Sequence, residues 1–181
     1  MFNISTFFLL RHFHYKFLGA CKIGDLLAVQ NILDELKTNG KDPSSEITVQ
    51  NENGNSPLHL AVIQGNIEMT KLLLKHNAPL NLMNNAGNNP FFEAVMKGKL
   101  EVVQTILDKL KTSKRDLSLV INFQNEEGNC PLHIAAMLGY TKITEILLEH
   151  NASTNLENRE GKTPGQILYQ RGNRDFLGPG H

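Results

Sequence analysis

Cys130-Pro131-Leu132-His133 places a thiol and an imidazole three positions apart, on one face of a helix. An imidazole so placed can draw the proton from a thiol and leave a nucleophilic thiolate. His12-Phe13-His14 offers two imidazoles for a metal, but as a lone pair without nearby acidic or thiol partners it falls short of the three or four ligands that zinc needs. The chain has seven histidines. Of the other five, His59 and His133 sit in a recurring segment, His76 and His150 fall in the last turns of expected helices, and His181 is terminal. No glycine-rich phosphate loop follows a strand, and there is neither a metal-protease pattern nor a nucleophile elbow. The expectation is therefore no metal, no cofactor and no catalysis, with Cys130 and His133 explained by their place in the architecture.

That architecture is periodic. NENGNSPLHLAVIQGNIEMTKLLLKHNAPLNLMN begins at Asn51, and NEEGNCPLHIAAMLGYTKITEILLEHNASTNLEN at Asn125. A third copy starts at Asn85, and a shortened one, REGKTPGQILYQRGN, at Arg159. Gly54, Gly87, Gly128 and Gly161 are spaced 33, 41 and 33, while Gly24, Gly65, Gly98 and Gly139 are spaced 41, 33 and 41. The duplicated unit is thus two repeats, 74 residues long, and at that offset Gly24–Pro90 is identical to Gly98–Pro164 at 34 of 67 positions. The additional residues of the longer repeats fall around Lys37–Glu46 and Lys111–Val120. Ser56 occupies the slot of Cys130 one duplication earlier, which makes the cysteine a small helix-start residue.

Within a unit, Ser56 can accept a backbone hydrogen bond at a helix start, and Pro57 sits where its missing N–H costs nothing. Leu58, Ala61 and Val62 form an apolar face, and Gly65 stops the helix in a left-handed turn. Ile67, Met69, Leu72 and Leu73 give a second helix its core face. Asn77 and Asn151 then stand where left-handed backbone is expected, because asparagine tolerates it. The polar NLMNNAG and NLENREG that follow read as projecting turns.

A period of 33 carrying SPLHLA and CPLHIA resembles the ankyrin-repeat family over about residues 17 to 177. The resemblance implies an all-α solenoid of stacked helix-turn-helix units with projecting β-hairpin loops. The implied organisation is an N-terminal extension or capping helix over 1–16, repeats over 17–50, 51–84, 85–124 and 125–158, and a partial capping repeat over 159–181. It also implies that His59 and His133 bond to the neighbouring hairpin and tie repeats together. Repeat three departs from this with Asn89-Pro90-Phe91-Phe92, where Phe92 has no donor, so that junction should rest more on packing.

Eighteen basic and 18 acidic residues cancel, so no broad field draws the chain to nucleic acid or anionic lipid. The apolar run Ile4–Leu10 is short, no lysine or arginine precedes it, and basic residues follow where a cleavage site would stand, which argues against a signal peptide. No stretch approaches the roughly 20 apolar residues of a membrane span. Cys21 and Cys130 form no disulfide framework and suit a reducing compartment. A cytoplasmic monomer is expected. The alternative is a secreted effector acting in a host cytosol, suggested by the 20 asparagines, a composition natural for an AT-rich bacterial genome.

The expected partners are one or more proteins, with no nucleic acid and no membrane. In the ankyrin family, hairpin tips and the inner helix face bind, and by register these are Ile63, Gln64, Met96, Lys97, Met137 and Leu138, four of the six apolar. Two readings stand side by side: these side chains are partly solvated contact residues, or they pack under hairpins and the next repeat. Glu126 and Glu127 belong to a mostly polar rim that would suit a peptide or helix with basic flanks. The basic cluster Lys109, Lys111, Lys114 and Arg115 reads as a solvated loop. The whole is a non-catalytic interaction scaffold, or the interaction segment of a larger protein, such as an enzyme or bacterial effector, whose active part lies elsewhere.

Overall fold

A computed structural model describes residues 4–113 and 116–172; of residues 4–13 it describes the helical backbone alone. Its helices are α1 (Ile4–Ile23), α2 (Leu26–Thr38), α3 (Ser44–Thr48), α4 (Pro57–Gln64), α5 (Ile67–Lys75), α6 (Pro90–Met96), α7 (Leu100–Thr112), α8 (Ser118–Ile121), α9 (Pro131–Leu138), α10 (Thr141–Glu149) and α11 (Pro164–Gln170). The inner row runs α1, α4, α6, α9, α11, each packed on the next. The outer row runs α2, α5, α7, α10, and each outer helix pairs with the inner helix before it. This is an all-α solenoid.

The inner helices α4 and α6 are short and apolar nearly all round, which requires burial on every side. Pro57 to Val62 of α4 are all buried, as are Pro90 to Val95 of α6. The outer helices bury one stripe, such as Val102, Val103, Ile106, Leu107 and Leu110 of α7. Ser56, Asn66, Asn89 and Thr163 cap their helices by accepting a hydrogen bond from the third residue onward. Gly65 ends α4 at φ +75°, and Asn77 and Asn151 both take φ +61°, as their sequence positions predict.

Three features depart from the simplest form of the repeat. Among the described residues the projecting loops form turns and no strands. Each closes on itself, Asn51 N–H to Asn55 O at 3.0 Å for example, and among the described bonds no two neighbouring turns share more than one backbone bond, too few for a ladder. The longer repeats carry the short helices α3 and α8, the first starting beside Asp42 and the second beside Asp116. And α1 continues without a break from Ile4 to Ile23, across the boundary between residues 16 and 17.

Candidate partner-binding surface

The thiol–imidazole pair is structural. Cys130 and His133 are wholly buried. Cys130 Sγ lies 3.0 Å from His133 Nδ1, which also accepts the Cys130 N–H at 3.0 Å, while Nε2 bonds Lys162 O at 2.9 Å. Both ring nitrogens are thus committed. Burial pushes the Cys130 thiol up, away from thiolate, and holds His133 below the ordinary imidazole range. His59 repeats the arrangement with Ser56 N–H at 3.1 Å and Asn88 O at 3.0 Å, its pKa also lowered by burial. These are the inter-repeat ties that the family resemblance implies.

The ties recur with the 74-residue unit. Between the turn at 51–55 and the turn at 84–88, Asn85 N–H reaches Asn53 O at 3.0 Å, Asn84 Nδ2 reaches Asn55 Oδ1 at 3.1 Å, and Gln50 Nε2 reaches Met83 O at 2.8 Å. One duplication later Arg159 N–H reaches Glu127 O at 3.0 Å, Asn158 Nδ2 reaches Asn129 Oδ1 at 2.9 Å, and Gln124 Nε2 reaches Glu157 O at 2.9 Å. Between these pairs, Asn125 Nδ2 approaches Asn88 Oδ1 only at 3.5 Å. Phe92, fully buried, instead meets Phe123 edge to face with centroids 6.2 Å apart. Both rings lie within 85–124, in the stretch that leads into the turn at 125–129, and the seam that follows keeps only the long Asn125–Asn88 bond between its turns among the described bonds.

The inner-helix ends divide by exposure. Met137 and Leu138 are 38% and 50% exposed, Gln64 and Lys97 are exposed, and Ile63 and Met96 are half-buried. Over the glycine that ends each of these helices lies a side chain of the following repeat: Lys99 over Gly65, Tyr140 over Gly98, Arg171 over Gly139. Arg171 also donates to the carbonyls of Ala136 and Met137. Ile23 reads from the sequence as an apolar core position of the first repeat, but it precedes Gly24 as Leu138 precedes Gly139 and is 78% exposed. Its glycine register was the available signal.

At the tips, Glu126 and Glu127 are exposed, with Cγ and the carboxyl group of Glu126 lying over Gly87. Gln50, Asn55, Gln124 and Asn129 are occupied in the turn-to-turn bonds, and Asn88 is buried. His14 does have an acidic neighbour, contrary to the sequence reading: α1 packs on α3, and His14 Nε2 lies 3.2 Å from Oε1 of the buried Glu46. His12 lies among residues whose side chains are not described. Among the described residues no group of three or more His, Cys, Asp or Glu could hold a metal ion. No described helix is long and apolar enough to cross a membrane.

The family profile described as ankyrin repeats (3 copies) matches residues 17–118 and again 115–177. The chain belongs to the ankyrin-repeat family. A putative ankyrin repeat protein of Rickettsia bellii is 34% identical over 122 residues, 67% of this chain and 52% of the relative. Ankyrin repeat domain-containing protein 13C of Danio rerio is 40% identical over 68 residues, 35% of this chain and 14% of the relative. A Caenorhabditis elegans homolog of transient receptor potential cation channel subfamily A member 1 is 28% identical over 118 residues, 65% of this chain and 9% of that protein. The chain therefore spans between 9% and about half (52%) of the length of these ankyrin-repeat relatives. Ankyrin repeats are in general protein–protein interaction modules.

Proposed function

We propose that this ankyrin array is a non-catalytic adaptor that holds a partner protein on its inner face, with Ile63, Met96, Met137 and Leu138 as the apolar floor and Glu126 and Glu127 at the rim. The observation that carries the reading is the exposure of Met137 and Leu138, 38% and 50%, at the end of a helix whose other residues are buried or, at Ile134, half-buried. An apolar pair left in water at a fixed register is costly unless something covers it, and methionine adapts its shape to what does. Gln64 and Lys97 contribute polar contacts beside the floor. A partner helix or peptide with basic flanks suits the two glutamates, and a cytoplasmic site suits the two free buried thiols, Cys21 and Cys130. The array acts as a monomer, without nucleic acid or membrane.

The test is affinity capture from a cytosolic extract by the tagged chain, run beside a Met137→Glu/Leu138→Glu variant and a Glu126→Lys/Glu127→Lys variant of confirmed fold. Loss of one specific partner from both variants supports the inner face. A partner retained by both moves the site elsewhere. A second reading, that these repeats are the interaction segment of a larger protein, is favoured by the small share of its relatives that the chain spans, 9% for the channel homolog. In that case the same face would recruit the target of an activity carried outside these residues.

A further inference from the structure

The outer helices α5 and α7 pack side by side, and between them runs a groove of about 320 Å³. Three of its lining residues are lysines, Lys71 and Lys75 from α5 and Lys109 from α7, against one acid, Asp108. All four charged side chains are exposed, above the buried Leu74.

Among the described residues Lys75 and Lys109 form no ion pair. Lys71 lies 2.9 Å from Glu68, but both are exposed, and a surface pair of this kind gives way easily to an incoming anion. Asp108 accepts from Gln104 at 3.4 Å. Thr105 and Thr112 give their hydroxyl protons to the carbonyls of Glu101 at 2.7 Å and Lys109 at 2.9 Å, so the side-chain donors left in the lining are the ammonium groups.

The internal duplication shows that the fold does not ask for these lysines. At the 74-residue offset Lys71 corresponds to Glu145, Lys75 to Glu149 and Lys109 to Glu35, a reversal of sign at all three positions. The glutamates stand on α10 and α2, the two ends of the outer row, where among the described residues no further outer helix completes the equivalent groove. Lysine stands where two outer helices meet at these positions, and glutamate where they do not. The end helices also confine the positive field, since α2 carries Asp34 and Glu35 against Lys37, and α10 Glu145 and Glu149 against Lys142.

We infer that the groove between α5 and α7 is a second docking surface, separate from the inner face, and that it takes a short acidic segment of a partner protein, with two or three carboxylates set on Lys71, Lys75 and Lys109. Lysine is a compact charge that meets a carboxylate without a fixed fork, and the lining has no arginine. A nucleic acid needs a basic stripe that continues along its backbone, and here the stripe stops at α2 and α10. With Leu74 as the one aliphatic residue of the lining, the contact is mostly electrostatic and weakens with salt.

The test is selection of a random twelve-residue peptide display library on the purified chain, followed by titration of the selected peptides. The expected consensus holds two or three Asp or Glu. Its binding should fall at least about tenfold in Lys75→Glu/Lys109→Glu and should weaken in 0.5 M salt. That variant installs the residues the duplicate already carries, and its urea midpoint checks the fold. Lys22→Glu, which reverses an exposed lysine outside the groove, and Met137→Glu/Leu138→Glu should leave binding unchanged. Equal loss in Lys22→Glu would reduce the effect to overall charge and overturn the inference. Peptides lost only in the inner-face variant would overturn it while supporting the inner-face reading. No enrichment of acidic peptides would overturn it outright. Tighter binding of a twelve-nucleotide oligothymidine or of phosphatidylserine vesicles, abolished by Lys75→Glu/Lys109→Glu, would overturn the assignment to a protein partner. A wild-type dimer in sedimentation that the same variant makes monomeric would name a second copy as occupant and overturn it likewise.

Discussion

A methyl group added at Gly54 would lie 2.7 Å from the backbone nitrogen of Asn85, whereas at Gly161 it would meet nothing within 4 Å. Both glycines are left-handed, φ +72° and +71°, so alanine strains either by about 1–2 kcal/mol. Gly54→Ala also drives apart two repeats, and its loss of stability in urea titration should exceed that of Gly161→Ala by about 1–3 kcal/mol. Chemistry at the cysteines should be silent. Both are buried, Cys21 pushed up to about 12 by burial, so neither should react with a thiol reagent at pH 8 until the chain is unfolded. Titration gives a further outcome. Burial lowers His59, His76 and His133, so the folded chain takes up fewer protons than the unfolded one and stability falls as pH drops below about 6.5. Glu46 leans the other way: burial raises it against His14 and Lys41, so its contribution is lost as pH rises. Urea midpoints at pH 7.5 and 5.5 should show the net acid loss, and His59→Gln should reduce it. Caps such as Ser56 and left-handed residues such as Asn77 were legible in the sequence because each answers to its immediate neighbours. His14 with Glu46 was not, because only the packing of α1 on α3 brings them together.

Each element in the stack has its own measure of attachment. The amides of Asn85 and Arg159 donate to the preceding turn, but the equivalent amide of Glu126 has no such carbonyl among the described bonds. Native-state hydrogen exchange should therefore find Asn85 and Arg159 slower than Glu126 by on the order of tenfold or more. Phe92→Ala removes the buried ring and the aromatic contact that hold the stretch leading into the weakly tied turn at 125–129. It should cost about 3–5 kcal/mol and separate unfolding into two transitions, visible when helix signal and local probes in each half cease to coincide. The weak seam was legible in the sequence as a phenylalanine in a histidine slot. Its partner Phe123 was not, since it comes from the longer third repeat, where periodicity is lost. The helices α3 and α8, five and four residues long, escaped for the same reason, being shorter than any window in which a helical period registers.

For the whole molecule, the fold was legible because a solenoid repeats its instructions, and agreement among copies outweighs any single motif. The proposed partner surface was legible only as a register, because exposure at the inner-helix ends varies with the side chain of the next repeat that lies over each glycine, Lys99, Tyr140 or Arg171, none of which belongs to the signature. Met137→Glu/Leu138→Glu should leave stability within about 0.5 kcal/mol of the wild type while abolishing partner capture, the separation expected when a surface is spent on recognition. The recurrence of the turn-to-turn bonds every 74 residues, with the Phe92–Phe123 joint between, bears also on how such an array changes in length. Loss or gain of a single repeat would bring together turns that are not neighbours now and break the alternation of tied and weakly tied junctions. Recombination in whole pairs recreates the joint unchanged, so viable shorter or longer alleles of this gene should differ in steps of 74 codons.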